Sequence, residues 1–205
     1  MIRLITYADD SYRLAAKLLL CEARSLHFFD KVHCYTPKEI KGFLSKQWIS
    51  SYPRGAGYWI WKPYITLLEL EKMSDGDILF YLDAGNSVTW SERWNQYLSL
   101  LNQYDASFMH FDPKVNYGWT PSVRCWTKQS AVSFFSSSVG YDTWLDMPQF
   151  ISGCFFLKKT RDSLDFIRQW CEFMCSHQEL VIDATKEELQ EQDIRFIEHR
   201  HDQAI

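Results

Sequence analysis

The 205-residue chain has no run of lysine and arginine, no cysteine pair at metal-binding spacing, no long apolar stretch and no internal repeat. Each absence removes a class of function. A net charge of −4 without clustered basic residues argues against a nucleic-acid backbone as partner, because phosphate tracking needs gathered Lys and Arg. It also leaves no polybasic membrane tether. The six cysteines (Cys21, Cys34, Cys125, Cys154, Cys171, Cys175) contain no CxxC pair, and Cys171 and Cys175 fall one helical turn apart, so zinc is not expected. The amino terminus MIRLITYADD lacks the charged region and long apolar core of a leader. Nothing approaches the roughly 18 continuous apolar residues of a membrane span. A reduced, cytoplasmic protein is the expectation.

What is present fits one domain with a sizeable core: 46% hydrophobic and 23% charged residues are ordinary, while 17% aromatics and nine tryptophans are high. Some of those rings are expected to line a site. Ile2, Leu4 and Ile5 open a strand that stops at Ala8-Asp9-Asp10, and Leu14, Ala15, Leu18 and Leu19 then recur with helical period. Val32, Cys34 and Tyr35 form a second strand ended by Pro37, with a helical stretch from Lys38, so the chain opens as a βαβ unit. Pro63 suits the first turn of a helix running to Asp75-Gly76. Ile78 to Leu82 is an unbroken apolar run between Asp-Gly and Ala-Gly, as a strand buried on both faces reads. Two more strands are expected at 107–111 and 153–157, separated by a long polar and aromatic region, 112–149, with little regular period. Thr160 is expected to cap a helix with Leu164, Ile167, Cys171 and Met174 on its core face, and Thr185 with Glu188 reads as a capping box.

The chemistry gathers at few points. Asp83 ends the apolar strand, where open α/β sheets bind ligands, so it is placed either to meet a cation or a metal-bound phosphate or to cap the next turn. In RGAGYWIWKP, Arg54 and Lys62 supply positive charge for a diphosphate, Gly55 and Gly57 permit close backbone approach, and Trp59 and Trp61 are read as packing. His199, His201 and Asp202 lie close together near the far end and could complete a hard-cation site with Asp83.

DILFYLDAG, preceded by GYWIWKP and followed by QFISGCFF and HDQA, resembles the GT-A glycosyltransferases. The likeness is to short bacterial capsule and O-antigen members and to large-virus domains of the chlorella-virus type. It implies an α/β fold with a central, mostly parallel sheet flanked by helices, formed by residues 1–205 as one catalytic domain. The ending HRHDQAI reads as the start of a new element, so further domains of the same polypeptide are expected. The resemblance further implies transfer of a hexose or deoxyhexose from a nucleoside diphosphate, a UDP-sugar, to a glycan or other hydroxyl acceptor, aided by Mn²⁺ or Mg²⁺. By the same likeness Thr6, Tyr7, Ala8 and Asp9 cradle base and ribose. Asp83, Ala84 and Gly85 stand where members carry a DxD motif, with the second carboxylate missing. Ser152 and Gly153 lie beside the donor sugar, Asp202 binds it, and Gln203 lies at the reacting face, which favours retention; Asp146 or Asp202 would be the base of an inverting enzyme. Tyr117, Trp119, Trp126, Tyr141 and Trp144 are candidates to stack on an acceptor sugar. The alternatives are a catalytically weak sugar-nucleotide binding module serving an adjacent domain, favoured by the degenerate DAG, and a nucleotidyltransferase, disfavoured by the lack of a glycine-rich signature near the first strand.

Overall fold

The computed structural model describes residues 1–110 and 122–205. Five strands, β1 (Ile2–Tyr7), β2 (Lys31–Tyr35), β3 (Ile78–Leu82), β4 (Ala106–His110) and β5 (Phe150–Lys158), form one sheet in the order β2-β1-β3-β5-β4. β1 pairs in parallel with both β2 and β3, and β5 is antiparallel to its neighbours β3 and β4. Four strands therefore run one way and β5 the other, a mostly parallel sheet.

The period of two along each strand builds the two faces. Ile5, Tyr7, Leu79, Tyr81, Phe155 and Leu157 point to one side, where they pack on Trp61, Ile65 and Leu70 of helix α2 (Trp61–Glu71) and on Ile167 of the long helix Arg161–Ser176. Leu4, Phe80, Leu82 and Phe156 point to the other, against Leu19 and Ala23 of α1 (Arg13–Ser25) and Trp94 and Leu101 of α3 (Arg93–Gln103). Helices on both faces bury the middle strands, which is why β3 reads as a continuous apolar run.

Several expectations hold and others are corrected. Pro63 lies in the first turn of α2, where its absent amide hydrogen costs nothing. The Thr160 hydroxyl accepts from Ser163 N and the Ser163 hydroxyl accepts from Thr160 N, a reciprocal cap. Thr185 and Glu188 make the same exchange. The face of α1 is rotated from the expected one: Leu14 and Leu18 are 73% and 60% exposed, while Ala16, Leu19 and Ala23 are buried, because small residues let this helix sit close to the sheet. The region read as irregular contains helix α4 (Gln129–Val139) and a one-turn helix, Val123–Trp126. The helix Arg161–Ser176 is α5 below.

Candidate active site

β1 sends its chain to β2 on one side and pairs with β3 on the other, so the carboxyl ends of β1 and β3 flank the switch in strand order where a crevice opens. A cavity of about 470 Å³ lies there, lined by Tyr7, Ala8 and Asp9 after β1, by Asp83, Ala84 and Gly85 after β3, and by Gly55, Ala56, Trp59 and Trp61 between them. Nine of the residues singled out in the sequence thus line one cavity. Tyr7 stacks on Trp61 with ring centroids 3.9 Å apart. Burial, aided by Asp9 and Cys34, pushes its phenol up to about 12. Asp9 folds the backbone after β1 by accepting from the amides of Ser11 and Tyr12. Thr6 is fully buried, and its hydroxyl has no partner among the described residues.

The two tryptophans line the cavity because the chain before α2 coils left-handed. Gly55, Ala56, Gly57, Tyr58 and Trp59 all have φ between 48° and 91°. A Cβ on Gly57 would lie 2.8 Å from Ser50 Cα, and one on Gly55 2.4 Å from the Trp59 ring. The glycines therefore serve the turn: Gly57 N donates to Tyr52 O, and Gly55 O accepts from Trp59 N. Each non-glycine left-handed residue costs roughly 1–2 kcal/mol, so Ala56, Tyr58 and Trp59 are held by their surroundings. The Tyr58 hydroxyl donates to Asp183 at 2.9 Å, the Trp59 ring lies parallel to that of His201, and Arg54 donates to Asp183 at 2.6 Å. Arg54 also approaches Glu198 and does not line the cavity. Its expected place at a diphosphate is corrected to a clamp on the C-terminal segment, because two carboxylates of that segment lie within its reach.

At the floor of the crevice four distant parts of the chain converge. Lys62, on the first turn of α2, is only 1% exposed; its ammonium lies 2.7 Å from Asp202, 3.4 Å from Asp83, and donates to the Ser152 hydroxyl at 3.1 Å. Burial alone would lower the Lys62 pKa, but Asp202 and Asp83 outweigh it and hold it above the ordinary value. The Tyr81 hydroxyl donates to Asp83 at 2.5 Å. Burial, then the charge of Asp83, pushes the Tyr81 phenol well up. A Cβ on Gly153 would lie 2.6 Å from the Asp83 carboxylate, so a side chain there would displace it. The Asp202 side chain is 5% exposed, while that of Asp83 is 40% exposed and faces the cavity. Gln203 is fixed from both ends: its oxygen accepts from Ser152 N at 3.4 Å and its amide donates to Gln149 at 2.8 Å.

His199 and His201 do not join Asp83. His199 accepts from Lys128 N at Nδ1 and contacts Leu180 O through Nε2, and His201 Nδ1 lies 2.8 Å from Val181 O. One nitrogen of each ring pairs a buried carbonyl of the turn Gln178–Val181, which would otherwise be orphaned, while His201 Nε2 has no hydrogen-bond partner among the described residues and lies 3.7 Å from Asp183. Among the described residues no group of three His, Cys, Asp or Glu side chains gathers as ligands for a metal. Asp146 is exposed and held by Arg124 and Arg195, away from this centre. Of the proposed stacking rings, Trp126 lies under the Arg200 guanidinium, Tyr141 is exposed and Trp144 packs near Phe135, while Tyr117 and Trp119 lie outside the described residues.

Sequence reasoning missed a second cavity, of about 650 Å³, on the other side of the ion cluster. Ser152, Asp202 and Gln203 line it together with Phe108, Phe150 and Phe166, Trp170 and Phe173 of α5. The signal was present as Phe166, Trp170 and Phe173, an i, i+4, i+7 stripe beside the core face of α5.

No family model matches the sequence, and no curated protein matches it. The chain is similar to the solved structure of the galactosyltransferase LgtC in complex with donor and acceptor sugar analogs, with a TM-score of 0.48 and 13% identity over 88% of this chain; it spans 66% of that chain. It is also similar to mouse xyloside xylosyltransferase 1 in its apo form, with a TM-score of 0.49 and 12% identity over 100% of this chain and 80% of that one.

Proposed function

We propose that this chain is a glycosyltransferase that moves a sugar from a nucleoside diphosphate, a UDP-sugar, to a hydroxyl group of a glycan or other acceptor. The observation that carries this reading is the position of the Lys62–Asp83–Asp202 cluster between two cavities. Asp83 faces the cavity at the switch in strand order, and Asp202 with Gln203 faces the other. A two-substrate transfer needs such a junction, with donor and acceptor entering from different sides and meeting at one polar centre. The nucleotide fits the first cavity, where Tyr7, Trp59 and Trp61 offer aromatic surface and Asp9 and Asp83 offer acceptors for ribose hydroxyls.

The charge of the cluster bears on the diphosphate. Lys62 carries one positive charge against the two carboxylates, and Arg54 is paired with Asp183, so among the described residues the centre has no spare cation for a leaving group. The half-exposed Asp83 carboxylate fits a divalent ion of the Mn²⁺ or Mg²⁺ kind, which is commonly held by one or two carboxylates plus substrate phosphates. His199 and His201 do not belong to that donor set. When bound, such an ion supplies electrostatic stabilisation of the departing diphosphate.

Asp202, desolvated and held by Lys62, is placed to bind hydroxyls of the donor sugar, and Gln203 is fixed rigidly beside it. The commitment of Asp146 to two arginines and of Asp202 to Lys62 leaves neither as a free base, which favours retention. In the retaining reaction the bond from the anomeric carbon to the diphosphate oxygen breaks, the acceptor oxygen bonds to the same face, and its proton passes to the departing oxygen.

Calorimetric titration with UDP and Mn²⁺ tests the donor half. Asp83→Asn is expected to weaken UDP binding at least about tenfold, the loss of roughly 1.4 kcal/mol of interaction, with the thermal midpoint little changed. Undiminished UDP affinity in that variant would overturn the assignment.

A further inference from the structure

We infer that the acceptor bears an apolar, aryl-sized group attached to the unit that carries its reacting hydroxyl, and that this group is seated in the 650 Å³ cavity; this rests on the glycosyl-transfer reading and names the substrate class of its acceptor side. Among the described residues the polar groups of the cavity gather at one end, apart from Gln169. Among the described residues, Ser152, Asp202 and Gln203 stand where it meets the ion cluster, and the walls beyond are Phe108, Phe135, Phe150, Phe166, Trp170 and Phe173, with Gln169 at the exposed side of α5.

A sugar ring buried against those walls would leave several hydroxyls without partners, whereas an apolar ring loses nothing on leaving water. Its size, too, is that of a small-molecule site. The walls are preformed: Phe108 packs on Phe150 and Phe166 with ring centroids 5.9 and 6.0 Å apart, and Phe135 stacks on Phe173 at 5.1 Å. Aromatic rings arranged in this way receive a further ring edge-on or offset. Phe150 and Phe166 remain 59% and 48% exposed, apolar surface that such an occupant would cover. The polar end fixes its orientation, because a hydroxyl directed there arrives beside Asp202, on the side of Lys62 opposite the donor cavity.

The test uses phenyl, octyl and methyl β-glycosides of glucose and galactose as probes of the full chain, with binding measured by calorimetry with and without UDP. Phenyl glycosides are expected to bind at least about tenfold more tightly than methyl glycosides. Phe150→Ser and Phe166→Ser, at exposed positions that fold readily, should erase that gap while leaving UDP affinity unchanged. Equal affinity for phenyl and methyl glycosides, or no measurable binding of either phenyl glycoside, overturns the inference if UDP still binds in an Asp83-dependent way. An octyl preference of tenfold over phenyl overturns it in favour of a lipid chain. A phenyl preference together with UDP binding that ignores Asp83 keeps the cavity as an aryl-ligand site and removes the glycosyl-transfer reading instead.

Discussion

Replacing Lys62 by methionine removes the charge from the centre of the site while keeping most of the buried volume. The Lys62 side chain is 1% exposed and that of Asp202 5%, so the substitution strands a carboxylate that touches little water. Breaking a buried ion pair from one side costs about 3–5 kcal/mol. For a domain of this size each kcal/mol shifts the thermal midpoint by roughly 2–4 °C, so Lys62→Met should lower it by about 6–20 °C. Asp83 keeps its contact with Tyr81 and with solvent, and so adds little to that loss. Two further measurements isolate the cause. Lys62→Met with Asp202→Asn should recover most of the loss, because a neutral amide can lie buried beside Ser152 where a carboxylate cannot. The single variant should also regain ground at acidic pH, as Asp202 takes up a proton. Thermal denaturation followed by circular dichroism at several pH values reads all three. A single variant within about 2 °C of the parent, or a double variant no better than the single, would refute the reasoning.

Gly57→Ala and Gly76→Ala place the same strain at φ +91° and +86°, but only Gly57 has a backbone atom within 2.8 Å of the new Cβ. Both should lose roughly 1–2 kcal/mol from the left-handed backbone, and Gly57→Ala more; equal thermal midpoints would show that the approach to Ser50 is irrelevant. Burial, with nearby positive charge, holds His199 well below its ordinary pKa, and burial likewise lowers His201. Since an unfolded histidine titrates near 6.5, the unfolded chain binds protons that the folded one refuses; stability is fully present above about pH 6.5 and is lost as pH falls toward the native values. Thermal midpoints should therefore drop between pH 7.5 and 5.5, less so in His199→Gln; a flat profile contradicts this.

Much of the fold was legible locally. The apolar run of β3, the helix after Pro63 and the reciprocal cap at Thr160 depend on neighbours within a few residues, and they stand where the pattern puts them. Trp59 and Trp61 illustrate the boundary. They were read as packing, and they do pack, against His201 and Tyr7, but the left-handed turn also exposes them to the cavity. The proximity of two histidines to Asp202 in the chain suggested a shared cation site. The short helix that follows His199 instead directs the imidazoles to backbone carbonyls while the Asp202 carboxylate faces Lys62.

The α/β layering and the place of Asp83 at the end of a central strand are written along the chain, because hydrophobic period and strand-end chemistry are short-range properties. What each charge meets depends on the assembled fold. Lys62 belongs to Asp202 and Asp83, and Arg54 to Asp183, because a buried or half-buried charge takes whatever opposite charge the fold brings within reach. The aromatic stripe of α5 likewise became a cavity wall only when β4 and β5 brought Phe108 and Phe150 opposite it. A cavity exists between elements, and no single element encodes it.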